Sequence, residues 1–224
     1  LYPLRCALHV HTNLSDGTRA VDEVVAAARA AGVDVLVITD HEAAPAAQAG
    51  WEAYHEGLLV IVGAEIKTRG KDHLLVFDTH ERIATRLFDT PEALRLLAKL
   101  DVPAFVAHPQ GRPRHFFFKR RYAWRDWGQP DFAGVEVWSY MHDWLEDFTW
   151  LKLPAWYLNP HKRITGPHPE VLAAWDRVAA RRACPGIAGT DAHAKPMFAG
   201  RLQVFPYEML FKTTLTHVLV HDWG

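Results

Sequence analysis

Histidines and acidic residues stand at the ends of the apolar segments of this sequence, where they could bind metal ions. The 224-residue chain has 14 histidines and only two cysteines. Imidazole and carboxylate ligands without thiolate suit Zn, Mn or Fe, and nine candidates exceed what one tetrahedral ion can use. The pattern therefore predicts two or three divalent ions, and the candidates are His9, His11, Asp16, His41, Glu65, His73, His108, Asp191 and His193.

The spacing of the first two histidines favours a shared site. His9 and His11 are two residues apart at the end of a predicted strand, so the strand period of two places both side chains on one face. Cys6, three residues before His9, would point to the other face and is a poor ligand. A single histidine at a strand end is most often structural, but five strand ends that finish in histidine or acid are hard to produce by chance. The remaining histidines are interpreted as ordinary: 55, 80, 115, 142, 161, 168, 217 and 221.

Alternating strands and helices must position these side chains. Apolar runs predict strands at 4–10, 33–39, 58–64, 74–77, 103–107, 134–139, 186–189 and 202–205. Helices are predicted at 19–31, in an Ala-rich stretch before residue 58, from Thr90 as N-cap with Pro91 at the first helical position, at 170–182 and at 207–217. Such alternation gives an α/β fold with a parallel sheet, and we expect a closed barrel in a single domain of residues 1–224. The carboxyl ends of barrel strands meet on one face, where active sites are built.

The segment 110–165 departs from this regularity and is expected to form a lid or pocket wall. It holds six of the nine tryptophans, at 124, 127, 138, 144, 150 and 156. Arg112 is expected to clamp a phosphate, because guanidinium matches phosphate with two hydrogen bonds. Lys119 and Arg120 lie among aromatic residues in an arrangement that could stack a base and hold a nucleotide backbone. The alternative is a solvated basic loop that its aromatic residues anchor.

Composition excludes several classes of protein. With 25 Lys+Arg against 26 Asp+Glu, whole-molecule charge predicts neither a membrane surface nor a general nucleic-acid partner. The longest apolar run, 57–64, is too short to span a bilayer. No signal-peptide pattern is present, which predicts a cytoplasmic protein, although such a segment could have been removed. Cys184, like Cys6, is interpreted as a small reduced apolar residue. Glu136 and Trp138 are interpreted as residues of the core or of the pocket wall.

In their order along the chain, these motifs resemble the polymerase and histidinol phosphatase (PHP) domain family, and most closely its stand-alone metallohydrolase branch. They are His9-Val10-His11-Thr12 with Ser15-Asp16-Gly17, Thr39-Asp40-His41, Gly63-Ala64-Glu65 with His73, Ala107-His108-Pro109 and Gly189-Thr190-Asp191-Ala192-His193. The resemblance extends from Leu4 to about His217, and it departs at Glu42, where many members have Asp.

The resemblance implies a distorted (β/α)7, TIM-like barrel with a trinuclear metal cluster. One ion would take His9, His11, Glu65 and Asp191, a second Glu65, His73 and His108, and a third Asp16, His41 and His193.

Clustered divalent ions would support hydrolysis of a phosphoester by a metal-activated hydroxide. The expected substrate is a nucleotide, a short oligonucleotide or a small phosphorylated metabolite. His41 or His193 could protonate the leaving alkoxide, and Asp40 is expected to orient a ligand histidine through its ring N–H. Two alternatives stay open: a metallohydrolase of amides, carbamates or esters, and a metal-binding module without turnover. The presence of all nine ligands favours an enzyme.

Overall fold

The chain divides into two compact units in the computed structural model, which describes residues 1–42, 48–79, 83–111, 123–146, 151, 154, 166–196, 203 and 205–222. Unit 1 comprises Leu1–Ala64, Thr79–Arg82 and Gly189–Gly224, and unit 2 comprises Glu65–Asp78 and Ile83–Ala188. The fold is mixed α/β. Strands of the described residues form two five-stranded sheets, and no closed barrel is detected among them.

The sheet of unit 1 has the strand order β10-β1-β2-β4-β3. Its strands are β1 (Tyr2–Val10), β2 (Val35–Ile38), β3 (Ala53–His55), β4 (Leu58–Val62) and β10 (Thr216–Val220). The inner pairs β1–β2 and β2–β4 are parallel, and the outer pairs β1–β10 and β3–β4 are antiparallel. All four residues of β2 are buried, as expected of an aliphatic strand covered on both faces. Helices α1 (Val21–Ala30) and α5 (Tyr207–Leu210) belong to the same unit.

The second sheet has the strand order β5-β6-β7-β8-β9. Its strands are β5 (Ala64–Lys67), β6 (His73–Val76), β7 (Ala104–Val106), β8 (Gly134–Ser139) and β9 (Gly186–Gly189), and the helices of unit 2 are α2 (Thr90–Lys99), α3 (Tyr140–Glu146) and α4 (Pro169–Ala179). β7 and β8 are parallel, but β6 is antiparallel to β7. This reversal brings the amino end of β6 beside the carboxyl end of β7, so the backbone N–H of Ala107 donates to the carbonyl oxygen of His73 at 3.1 Å.

Helix α2 begins one residue from the predicted position. The N-cap is Asp89 rather than Thr90, and a capping box joins Asp89 to Glu92. The hydroxyl of Thr90 donates to Asp72 Oδ2 at 2.6 Å and accepts from the hydroxyl of Thr68 at 2.8 Å, so it is engaged away from the helix end. Pro91 therefore lies at the second helical position, where its missing N–H is still tolerated.

The predicted closing helix at 207–217 is wrong beyond its first turn. α5 ends at Leu210, and Thr216–Val220 forms β10, which pairs with β1. The tail from residue 213 onward is rich in Thr and Val, whose branched side chains favour strands over helices. Of the predicted strand at 202–205, the described residues Gln203 and Phe205 are not in a strand, and residues 202 and 204 lie outside the described part.

The part of the Ala-rich stretch at residues 43–47 also lies outside the described residues. None of the helices that the structure describes combines the length and apolar character needed to cross a membrane.

Candidate metal centres

His9 and His11 lie at the end of β1, where the strand geometry is irregular. The register of β1 against β2 shifts between Ala7 and Val10, and His9 has a positive φ of 60°. The period of two therefore does not apply at this point, because the strand geometry is interrupted at His9. Both imidazoles are nevertheless fully buried, with their ring centroids 5.2 Å apart.

A second segment runs beside the end of β1 and carries Asp191. The N–H of His11 donates to the carbonyl of Ala192 at 2.9 Å, and the N–H of Ala192 donates to the carbonyl of His9 at 3.1 Å. These bonds place Asp191 Oδ1 3.3 Å from His9 Nε2 and 3.6 Å from His11 Nε2. The same oxygen lies 3.4 Å from His193 Nδ1, so three imidazoles surround one carboxylate.

A second carboxylate, Asp16, has the same kind of surroundings. Its Oδ1 lies 2.9 Å from His193 Nε2, 3.6 Å from His41 Nε2 and 3.8 Å from His11 Nδ1. One ligand atom from each of these four residues lies within 4.8 Å of all the others. We call the complete group of unit 1 the first cluster: His9, His11, Asp16, His41, Asp191 and His193.

The charge state of Asp16 suits a ligand. Burial alone would raise the pKa of this carboxyl, but the hydrogen bond with His193 and its charge, together with the bond from Lys195, hold the pKa well below its usual range. The ammonium of Lys195 donates to Asp16 Oδ2 at 2.6 Å, which leaves Oδ1 facing the imidazoles. Asp16 is therefore a carboxylate at neutral pH.

The turn that carries Asp16 is held by Asp40. This buried carboxylate accepts hydrogen bonds from the N–H of Thr12 at 2.7 Å and from its hydroxyl at 2.6 Å, and also from Ser15 Oγ and Gln48 Nε2. None of its hydrogen bonds within the described residues goes to a histidine ring, which differs from the expected contact. Asp40 instead fixes the backbone between His11 and Asp16.

Tyr207 and Gly17 complete the support of this turn. The buried hydroxyl of Tyr207 donates to the carbonyl of His11 at 2.6 Å, and burial raises the pKa of Tyr207 to about 12, so the donor keeps its proton. A Cβ at Gly17 would lie 2.3 Å from the same carbonyl oxygen and 2.7 Å from the tyrosine hydroxyl. Position 17 therefore requires glycine.

Unit 2 contains a second cluster, made of Glu65, His73 and His108. Glu65 Oε1 lies 2.5 Å from His73 Nδ1 and 3.0 Å from His108 Nε2, and the three ligand atoms lie within 4.8 Å of one another. His73 reaches this position from the start of a strand because β6 is antiparallel to β7. Burial, followed by the neighbouring His142, holds the pKa of His108 well below its usual value, so its imidazole is neutral and can act as a ligand.

Comparison with known proteins agrees with this geometry. Residues 7–117 match the sequence model of the PHP domain, a stretch that contains seven of the nine candidate ligands. Residues 7–117 of the chain belong to the PHP domain family. No curated protein matches this PHP chain significantly.

Solved structures resemble the PHP chain in fold. PsfC from Pseudomonas syringae is 15% identical with a TM-score of 0.55, over 99% of this chain and 93% of that one. A candidate metal-dependent phosphoesterase from Bifidobacterium adolescentis is 17% identical with a TM-score of 0.58, over 93% and 96% of the two chains. A two-domain protein from Bacteroides vulgatus, which contains a predicted PHP-like metal-dependent phosphoesterase, is 18% identical with a TM-score of 0.52, over 86% and 52%.

Sequence reasoning missed two residues that support His108 in the PHP fold. Glu136, expected to belong to the core or the pocket wall, is fully buried and accepts the backbone N–H of His108 at 2.6 Å. His142, interpreted as ordinary, stacks on the His108 ring with centroids 4.0 Å apart and planes at 7°, and its Nδ1 bonds the carbonyl of Gly111 at 3.2 Å. One signal was available: Glu136 is the only charged residue in the strand 134–139.

Three of the candidate ligands have strained backbones. His9, His108 and Asp191 have φ values of 60°, 30° and 50°, in a region that non-glycine residues rarely adopt. Each such conformation costs on the order of 1–3 kcal/mol and persists only where the surroundings fix it. Strain of this kind clusters at functional sites, which supports a functional rather than a structural role for these side chains.

The donor sets fit divalent cations. Each cluster gathers imidazole nitrogens around carboxylate oxygens, and burying such negative charge is costly unless a cation compensates for it. Neutral imidazole with carboxylate, and no cysteine, is a set that Zn, Mn and Fe all accept. The chemistry of the residues present therefore agrees with a metal-binding PHP domain.

The predicted substrate-binding residues Arg112, Lys119 and Arg120 lie outside the described residues. So do three of the histidines, at 80, 115 and 161. Beyond this stretch Trp124 is buried and meets the ring of Phe132 edge-on, with centroids 5.8 Å apart. This tryptophan packs inside unit 2.

Proposed function

We propose that this PHP protein is a metal-dependent phosphoesterase that hydrolyses a phosphate ester by attack of water. The observation that carries the proposal is the first cluster, in which four imidazoles surround two carboxylates whose Oδ1 atoms face them. Two structural neighbours support the choice of phosphoester hydrolysis, since one is described as a candidate metal-dependent phosphoesterase and the other as containing a predicted PHP-like one.

The proposed ligand sets are those that the resemblance implies. Three ions would be held by the first and second clusters, with Glu65 and Asp191 as shared ligands because each carboxylate has two oxygens. We also retain the distorted (β/α)7 barrel in a single domain of residues 1–224 as a proposal. When bound, the divalent ions would supply Lewis acidity that activates water and withdraws charge from the phosphoryl oxygens.

The chain itself would position the ions and move a proton. The side chains of His41 and His193 are 18% and 17% exposed, whereas those of His9 and His11 are fully buried. A leaving alkoxide can approach only the exposed pair, so these two residues are proposed as proton donors. Asp40 would act by fixing the turn that carries Asp16.

Cations beside the first cluster would recognise the phosphate. Lys195 is half exposed and already contacts Asp16, which puts its ammonium within reach of an incoming anion. Arg112, Lys119 and Arg120 are proposed as further phosphate contacts. The substrate class is a nucleotide, a short oligonucleotide or a small phosphorylated metabolite.

The double variant H9A/H11A tests the proposal directly. We expect wild-type protein loaded with Mn or Zn to hydrolyse p-nitrophenyl phosphate, and the variant to lose bound metal and at least 100-fold in kcat/KM. The matched control is H217A/H221A, which removes two exposed histidines outside both clusters and should change neither quantity. Full activity of H9A/H11A without its metal would refute the proposal.

A further inference from the structure

A cleft in unit 2 is lined by three arginines and by no acidic residue. It has a volume of about 330 Å³ and lies between the loop 127–130 and the carboxyl end of α4. We call it the arginine cleft, and the residues that matter are Trp127, Gln129, Arg177, Arg181 and Arg182. Its volume is in the range of small-molecule sites in proteins.

The arginine cleft lies at the opposite end of the second sheet from the second cluster. β7 and β8 are parallel, and the N–H of Ala133 donates to the carbonyl of Ala104 at 2.8 Å, so loop 127–130 approaches the amino ends of these strands. His108 follows the carboxyl end of β7. A ligand in the cleft would therefore be distinct from any ligand of the second cluster.

Two of the three arginines of the cleft make no ion pair within the described part of the chain. Arg177 lies in the last turn of α4 and Arg181 lies two residues past the end of this helix, and both are exposed. Neither has an ion-pair partner among the described residues. Arg182 is fixed next to them, with its guanidinium 4.3 Å from the centroid of the Phe132 ring.

Two buried donors in the wall of the cleft have no acceptor. Gln129 is 9% exposed, and its Nε2 has no hydrogen-bond partner among the described residues. The same holds for Nη2 of Arg182. Buried donors without acceptors destabilise a protein, so such groups call for an explanation.

The arginines could simply stabilise the carboxyl end of α4, but this role does not account for all of these features. Cations near a helix carboxyl end are favourable because they interact with the helix dipole. That interaction explains Arg177 and Arg181, but it explains neither the unmet donor of Gln129 nor the partly exposed indole of Trp127 beside the same cations.

We propose that the arginine cleft binds a nucleoside monophosphate. The three guanidinium groups would hold the phosphate, which guanidinium recognises through charge-assisted hydrogen bonds. The base would stack on Trp127, because any base presents a π-face to an aromatic side chain. This site is independent of the proposed phosphoesterase activity.

Calorimetric titration of the metal-loaded protein tests the proposal, with the non-cleavable phosphonate analogue of AMP as probe. We expect R177Q/R181Q to weaken binding of this probe at least tenfold, and W127A to weaken it about tenfold. W127F keeps an aromatic ring and should restore most of the affinity. Adenosine and inorganic phosphate, each lacking half of the ligand, should bind at least tenfold more weakly than the probe.

The control is R95Q/K99Q, which removes two exposed cations at the same spacing from α2. It should bind the analogue as the wild type does, and R177Q/R181Q should hydrolyse p-nitrophenyl phosphate at the wild-type rate. Unchanged binding by R177Q/R181Q would overturn the proposal. An equal loss in R95Q/K99Q would also overturn it, because the attraction would then be one of overall charge.

Discussion

Glu136 offers a test of how the protein holds the proposed metal ligand His108 in a strained backbone conformation. Its buried carboxylate accepts the N–H of His108, whose φ is 30°. In E136A this N–H is left buried without its acceptor, which costs about 1–3 kcal/mol of unfolding free energy. E136Q keeps an acceptor oxygen but not the charge, so its loss should be about 1 kcal/mol, the difference between charged and neutral hydrogen bonds.

The two substitutions at Glu136 should also differ in their effect on metal binding, which is measured separately from stability. Loss of a group that orients a ligand typically weakens metal binding 10–100-fold, so we expect E136A to weaken zinc binding at the second cluster by about that factor. E136Q should retain most of the affinity. Urea unfolding measures the stability, and competition with a chromophoric chelator measures zinc affinity.

Glu52 provides the matched control for this experiment. Its carboxylate also accepts a backbone N–H, that of Val62 at 3.2 Å, but it belongs to neither cluster. E52A should lower stability and leave zinc affinity unchanged. If E136A keeps wild-type zinc affinity while losing stability, then the bond to His108 does not position a ligand and the reasoning fails.

Three further predictions concern unit 1. G17A should remove the metal bound at the first cluster in metal analysis, because its Cβ would lie 2.3 Å from the carbonyl oxygen of His11; normal metal content would contradict the assigned geometry. Y207F removes the donor to that carbonyl and should lower the unfolding free energy by about 1–3 kcal/mol in urea, and an unchanged midpoint would count against the bond. Hydrogen bonds from Arg5 lower the pKa of Asp34, so this carboxylate stabilises the protein above its unfolded pKa of about 4 and stops doing so as pH falls through the lowered folded value. D34N should therefore cost about 1 kcal/mol at pH 7 and progressively less as the pH falls below about 4, and a pH-independent difference would refute the linkage.

Local sequence patterns predicted the strands well where a short apolar run has clear ends. The strands at Gly134–Ser139 and Gly186–Gly189 are confirmed with the predicted bounds, since each is a short and mostly apolar run that ends at polar or small residues. The end of the chain was mispredicted because residues 216–220 become a strand only by pairing with β1. Such pairing depends on a partner more than 200 residues away in sequence, which no local window contains.

The sequence also predicted which residues would form the set of candidate ligands, but it did not predict their geometry. Their positions at segment ends predicted that they would gather, and the structure brings six of them together in unit 1 and three in unit 2. The left-handed backbone of His9 and the supporting bond from Glu136 depend on contacts across the fold. Arg112, Lys119 and Arg120 stay predictions, because they lie outside the described residues.

The pairing of β1 with the segment around Asp191 has a consequence for the order of events during synthesis. The hydroxyl of Thr190 donates to the carbonyl of Leu8 across a sequence separation of 182 residues. At a rate of about 5–20 residues per second, the ribosome needs roughly 10–40 s to make the intervening chain. Throughout that interval the nascent protein carries His9 and His11 without Asp191 and His193, which lie beside them in the folded protein. The first cluster is therefore complete only once residue 193 has been made, so any ion that needs all of its ligands would be captured after that point and not by the amino-terminal motif alone.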